Sequence, residues 1–256
     1  MPVYNAADTV QFSIKSVLNQ TYNNFDFIII NDGSNDRSEE VILSFNDNRI
    51  KYYKISHNGR SYASNYGISK ASTNYIARID SDDLYVREKL MKQMKYLLNN
   101  QNVDILFSWS IFYNNSNFLR FWKSPESDKE IKYKLNFLNP INHSSVVYKR
   151  DVISKLSGYN INLDINEDYD LWLRASKTAI LHCLPEYLVF SKLKETNENR
   201  AFNAELVKML YENIESTFSP NKKETNDILG RIEYYYGDVE KAYKLLLKGH
   251  IINNFY

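Results

Sequence analysis

The strongest constraint on this chain is how its first 110 residues alternate between two hydrophobic periods. Apolar runs of strand length (24–31, 50–55, 75–79 and 103–109) are separated by stretches with apolar residues three and four apart (8–19, 38–45, 61–70 and 86–99). In the first stretch Val10, Ile14, Val17 and Leu18 share a helical face that Asp8 can cap; in the last, Leu90, Met94, Leu97 and Leu98 stand at helical spacing. Strands alternating with helices imply a mostly parallel sheet covered on both faces. In such sheets ligands bind beyond the carboxyl ends of the strands. That rule singles out Asn31-Asp32-Gly33 and Asp80-Ser81-Asp82-Asp83, both polar clusters at strand ends.

The second half is less regular. Residues 144–148, 179–181 and 188–191 read as strands, and 151–156 and 168–177 as helices. Strand signals then stop, and 205–217, 224–236 and 239–248 read as three helices beyond a polar linker at 195–203. A chain of 256 residues suits one ordinary domain plus a small appendage. With 32 Lys+Arg against 31 Asp+Glu, there is no general attraction to nucleic acid. The single cysteine, Cys183, rules out an intrachain disulfide and favours a reducing compartment; its apolar surroundings suit a buried structural thiol. No apolar run approaches the ~20 residues of a membrane helix, and no basic-then-apolar leader opens the chain. The expected location is cytoplasmic.

Three acidic constellations carry chemistry. Asp80, Asp82 and Asp83 fall within four residues, and such a cluster suits a hard divalent ion, Mn²⁺ or Mg²⁺; a solvated turn ahead of the next helix is the competing reading. Asp32 ends an apolar strand, where its carboxylate can accept the N–H of a nucleobase while Tyr4 stacks on the ring; a turn-former ahead of Gly33 serves equally. Glu167 and Asp168 open a helix, where the dipole alone welcomes negative charge, yet either can act as a general base.

In order along the chain, Met1-Pro2-Val3-Tyr4-Asn5, Ser16 to Tyr22, Ile30 to Asp36, Asn58-Gly59, Asn65 to Ile68, Ile79 to Asp83, His143 to Val146 and Glu167 to Trp172 resemble the successive motifs of glycosyltransferase family 2. The resemblance covers residues 1–195. It implies an α/β GT-A fold, with a donor-binding half (1–108), an acceptor-side half (109–195) and an all-helical extension (196–256). It also implies a nucleoside-diphosphate-sugar donor, most often a UDP-sugar, transferred with inversion to a glycan or lipid-linked acceptor in bacterial surface polysaccharide synthesis. The donor would be met by Pro2, Val3, Tyr4, Asp32, Asn58, Arg60, Asp80, Ser81 and Lys194. Asp82, with Asp80, would hold the Mn²⁺ or Mg²⁺, and Asp168 would be the base with Glu167 beside it. Trp109 and His143 are acceptor-side candidates, against core packing for Trp109 and a structural role for His143.

The chain departs from the family pattern at four points. It begins at Met1-Pro2 where members carry further apolar residues, so a short first strand is expected. Ser64 stands where an Arg is frequent, with Arg60 one turn away. Lys192-Leu193-Lys194 replaces an Arg-x-His, leaving Lys194 as a diphosphate contact. The Gln-x-x-Arg-Trp motif of processive synthases is missing, which implies one sugar per encounter. In the extension, Leu229-Gly230 and Gly237 to Ala242 resemble one tetratricopeptide hairpin, with Gly237 at the turn and Ala242 at the helix contact. A helical cap is the plainer reading. Tyr234-Tyr235-Tyr236, Lys244 and Lys248 would suit a peripheral contact with the inner membrane face. Two other classes stand against the transferase. A non-catalytic nucleotide-sugar-binding protein working through its helical tail is disfavoured by the presence of Asp80, Asp82 and Asp168. A nucleotidyltransferase would need a glycine-rich phosphate loop, and the chain has seven glycines in all.

Overall fold

The computed structural model describes residues 1–114, 119–163, 165–193, 204–217, 222–236 and 239–248. They fall into two compact units: residues 1–131 with 141–195, and residues 132–140 with 196–256.

In the first unit, β1 (Pro2–Val3), α1 (Val10–Leu18), β2 (Phe27–Asp32), α2 (Ser38–Leu43), β3 (Ile50–Ile55) and α3 (Arg60–Lys70) follow the expected alternation. β1, β2 and β3 form a parallel sheet in that order. Val10, Ile14 and Val17 of α1 pack with Val3, Phe27, Ile29 and Ile42 in one buried cluster, which is what their helical spacing requires. β1 is two residues long, and a cavity of about 540 Å³ opens near it, lined in part by Met1, Ile28, Ala77 and Arg78.

The second sheet is mixed, which the sequence pattern did not reveal. β4 (Tyr75–Ala77), β8 (Val147–Lys149), β6 (Ile105–Tyr113), β9 (Leu181–Lys192) and β5 (Leu84–Tyr85) lie in that spatial order, with β7 (Leu119–Trp122) also on β6. β6 and β9 are parallel; the β4–β8, β6–β8, β6–β7 and β5–β9 pairs are antiparallel. Four expected elements change for tertiary reasons. The helix expected from Val86 starts at Lys89 as α4 (Lys89–Asn99), because Leu84 and Tyr85 pair with Phe190 and Val189 first. The strands expected at 179–181 and 188–191 are one strand, β9, whose register on β6 slips beside Trp109. Pro185 cannot donate to the ladder there, so the slip is where a bulge is tolerated. The strand expected at 144–148 opens as a 3-10 turn, His143–Ser145, in which the Asn142 side chain accepts from Ser144 N at 3.0 Å.

α5 (Asp128–Leu135), α6 (Arg150–Lys155) and α7 (Glu167–Ser176) are the remaining helices before β9. Trp172 and Tyr169 of α7 are fully buried, and Arg174 reaches back to the carbonyls of Leu156 (2.8 Å) and Gly158 (2.9 Å), fixing the loop before α7. In the second unit, α8 (Ala204–Thr217), α9 (Lys222–Tyr236) and α10 (Val239–Lys248) are helical as expected. Gly230 lets α10 approach so closely that a Cβ there would lie 2.7 Å from Leu246 Cγ, and Ala242 is buried. Gly237 lies outside the described residues, as do the side chains of Tyr234, Tyr236 and Lys248. Tyr235 stacks on Phe137 inside this unit. Among the described residues no helix is long and apolar enough to cross a membrane.

Candidate functional site

The loops that follow β1, β2, β3 and β4 meet at one cleft of about 810 Å³. Their backbones are stitched to one another by short polar side chains. Asn5 N donates to Ser34 Oγ (3.1 Å), Asn35 N to Asn5 Oδ1 (3.0 Å), Ala6 N to Ser38 Oγ (2.8 Å) and Ala7 N to Asp36 Oδ2 (3.0 Å). Asn5 itself sits at a φ of 47°, a left-handed conformation that Asn tolerates. Gly33, at a φ of 68°, faces the β3–α3 loop so closely that a Cβ would lie 2.7 Å from His57 N.

Asp32 is 2% exposed. Its Oδ1 accepts from Asn58 N (2.9 Å) and its Oδ2 from Gly59 N (3.0 Å), with His57 Nδ1 2.9 Å from the same Oδ2. The strand-end carboxylate therefore fastens the β3–α3 loop. Tyr4 is 46% exposed on the cleft and stacks on His57, ring centroids 4.0 Å apart.

The acidic loop is held from several sides. Buried Arg78 pairs with Asp80, whose backbone N donates to Ser144 Oγ at 2.9 Å. Burial opposes ionisation of Asp80, but Arg78 overrides it by charge and hydrogen bond, helped by Arg60, and the carboxyl stays well below the usual range. Asp83 is buried, accepting from Ser191 Oγ (3.0 Å) and Lys192 N (2.9 Å). Burial, reinforced by the charges of Asp80 and Asp82, pushes it up to about 7. Asn142 Nδ2 donates to Ser191 Oγ (2.8 Å), and Tyr113 OH to the Asp82 carbonyl (3.2 Å). Asp82 lines the cleft.

At the far side His143 Nε2 lies 2.7 Å from Tyr159 OH. Burial, with Arg78 nearby, keeps its imidazole neutral by pushing its pKa well down. Asn65 clamps the Tyr159 backbone, donating to its carbonyl and accepting from its N–H, both at 2.8 Å. Glu167 is 4% exposed, and Arg60 Nη1 stands 3.7 Å from its Oε1. Burial raises its carboxyl, against the pull of Arg60. Asp168 opens α7 beside it, close enough for its charge to help hold the Tyr159 hydroxyl protonated, though burial does most of that.

Of the residues singled out from the sequence, Pro2, Val3, Tyr4, Asp32, Asn58, Arg60, Asp80, Ser81, Asp82 and His143 line the cleft. Glu167 joins it through Arg60. Asp168 is one position further round the helix and is not part of the lining. Trp109 lies elsewhere: its Nε1 donates to Ser124 O (3.1 Å) and its ring packs on Tyr187 at the β9 bulge, so the acceptor-side assignment has no support from its position. Lys194 lies outside the described residues. His57, Phe112 and Lys192 line the cleft without having been singled out. Lys192 belongs to the Lys192-Leu193-Lys194 stretch that departs from the family pattern; His57 and Phe112 gave no signal. Cys183 is buried, and burial raises its thiol far above the usual value, as expected of a structural residue.

A mixed α/β scaffold with a cleft and an acidic loop at the strand ends is the architecture of the GT-A fold. The chain belongs to the glycosyltransferases: residues 1–157 match the model of "Glycosyl transferase family 2". It is 34% identical over 204 residues to the O-antigen biosynthesis glycosyltransferase WbnJ of Escherichia coli, covering 75% of this chain and 79% of that one. It is 30% identical over 252 residues to the Escherichia coli UDP-Glc:alpha-D-GlcNAc-diphosphoundecaprenol beta-1,3-glucosyltransferase WfgD, covering 96% and 89%. An uncharacterised glycosyltransferase of Methanocaldococcus jannaschii is 37% identical over 182 residues, 68% of this chain and 62% of that one, so the chain spans less than two thirds of that relative. The fold matches Staphylococcus aureus TarS 1–349 in complex with UDP (TM-score 0.69, 15% identity, 90% of this chain and 68% of that one). It also matches the mannosyltransferase PcManGT of Pyrobaculum calidifontis in complex with GDP-Man and Mn²⁺ (TM-score 0.65, 14% identity, 97% and 73%).

Proposed function

We propose that this chain transfers one sugar, with inversion, from a UDP-sugar to a hydroxyl of a glycan or lipid-linked acceptor in bacterial surface polysaccharide synthesis. The observation that carries the reading is the single cleft in which Tyr4, Asp32, Arg60, Asp80 and Asp82 converge from four different loops. Similarity to WfgD over nearly the full length, and that enzyme's UDP-Glc and diphosphoundecaprenol-linked substrates, support the donor and acceptor classes.

The acidic loop fits a divalent cation shared with the donor. Arg78 and Ser144 hold Asp80, Ser191 and Lys192 hold Asp83, and both Asp80 and Asp82 line the cleft. Among the described residues no three His, Cys, Asp or Glu side chains form a complete cage. One or two carboxylates, with phosphate oxygens and water, is the donor set that Mn²⁺ or Mg²⁺ takes alongside a nucleotide. When bound, the cation neutralises charge on the departing diphosphate. Arg60 and Lys192 add protein cations on the same cleft.

The remaining chemistry belongs to the chain. Asp168 takes the proton of the acceptor hydroxyl as that oxygen attacks the anomeric carbon. The bond from that carbon to the diphosphate oxygen breaks in the same displacement, so the configuration inverts and no covalent enzyme intermediate forms.

A screen of nucleotide sugars for hydrolysis and binding in Mn²⁺ tests this. UDP-sugars are expected to bind and to be hydrolysed slowly, with the activity lost in a chelator. Failure of every donor to bind would favour a non-catalytic protein.

A further inference from the structure

The donor reading gives the nucleobase two contacts, a stack on Tyr4 and a hydrogen bond into Asp32. In the structure both are made by one side chain of the protein itself. The His57 imidazole lies 4.0 Å from the Tyr4 ring and 18° from parallel to it. Its Nδ1 is 2.9 Å from Asp32 Oδ2 and 3.1 Å from the Asp32 carbonyl oxygen. A carbonyl oxygen can only accept, so Nδ1 carries the proton and donates. A flat heterocycle thus presents a π face to Tyr4 and an in-plane N–H to Asp32. Uracil would offer the same pair through its ring face and N3–H.

The surroundings let the ring move while its backbone stays. The His57 side chain is 51% exposed. Its main chain is locked: Gly33 leaves no room beside His57 N, and the Asp32 carboxylate holds the next two amides, Asn58 N and Gly59 N. Rotation about the side-chain bonds clears the seat without disturbing the loop.

Resting on the donor reading above, we propose that His57 is a placeholder for the nucleobase: its imidazole holds the seat between Tyr4 and Asp32 in the free enzyme and swings out when the donor enters. It therefore sets donor affinity by competition. Every nucleotide must displace the same ring, so the apparent Kd of each is raised by one common factor, the inverse of the fraction of molecules with the ring out. A residue that touched the bound base would behave differently. Its loss would weaken binding and change the preference among bases.

Calorimetry with UDP and with CDP, in Mn²⁺, on wild type, His57→Ala and His57→Phe separates the two. His57→Ala is expected to tighten UDP binding roughly 3- to 30-fold, the range for losing one stacked, hydrogen-bonded competitor. CDP should tighten by the same factor, leaving the UDP:CDP ratio unchanged. His57→Phe keeps the stack and loses the N–H, and should give a smaller common gain. Weaker UDP binding in His57→Ala, or an altered ratio, overturns the proposal. Tyr4→Ala in the His57→Ala background tests the seat itself. A loss of UDP affinity there places the base on Tyr4; no loss removes the base seat, and with it both this proposal and that part of the donor reading.

Discussion

Glu167 and Asp168 are neighbours in the chain with different surroundings. Glu167 is buried against Arg60, which ties it to the cleft, while Asp168 is half-buried on the next position of α7 and acts on Tyr159 through its charge. Helical geometry separates successive side chains by about 100°, so only one of the two can point along a given line. With Asp168 as the base, Asp168→Asn should lower transfer by about 10²- to 10⁴-fold while UDP affinity stays within a factor of about two, because general-base catalysis is worth that range and the donor seat lies on other loops. Steady-state transfer and calorimetric UDP titration check it together. Glu167→Gln is the informative partner: if it is the more damaging change in turnover, the two roles are reversed. Both acids could be read from their place at a helix start. Which of them Arg60 reaches could not, since Arg60 is over a hundred positions away.

The Asp80 to Asp83 loop shows how an element is made by its neighbours. Leu84 and Tyr85 read as the approach to a helix, yet they pair with β9, and that pairing lets Ser191 and Lys192 bond to the Asp83 carboxylate. Burial and the adjacent charges raise Asp83 from an ordinary 3.8 to about 7. The folded state therefore holds this proton more tightly than the unfolded chain. The resulting stability is fully present below about pH 4 and is lost as pH rises through about 7. Asp83→Asn keeps an acceptor for Lys192 N and removes the titration. In a chelating buffer, the wild-type Tm is expected to fall relative to Asp83→Asn between about pH 4 and pH 8. A difference that stays flat with pH would refute this account of the loop. The run of aspartates was legible as a cation-attracting turn; the division of labour within it was not. It depends on Arg78, Ser144 and Ser191, which reach it from three other parts of the fold.

Over the whole chain, two compact units carry different kinds of signal. The first is assembled from long-range pairings, the second from helices whose spacing is visible locally. In the second, Gly230 is a point of close approach between α9 and α10. Gly230→Val should force those helices apart at a cost of about 1–3 kcal/mol, the usual penalty for overpacking. Hydrogen exchange should rise across 222–248, with UDP affinity unchanged, because no described residue of that unit is among those that line the cleft. Exchange at the wild-type level would show that α10 does not pack on α9 through Gly230.

Local periodicity was enough to establish the strand–helix order from α1 to β4, the helical character of the C-terminal unit and the acidic loops at strand ends, because an amphipathic face is written every two or three to four residues. The chain's order of motifs was enough to give the family. Only the folded molecule decided the strand directions of the second sheet, the joining of β9 across Pro185, the placing of Trp109 away from the cleft, and the meeting of His57 with Tyr4 and Asp32. Each of these depends on hydrogen bonds and ring contacts between residues tens of positions apart. Such contacts leave no local hydrophobic period, so no window along the sequence can display them.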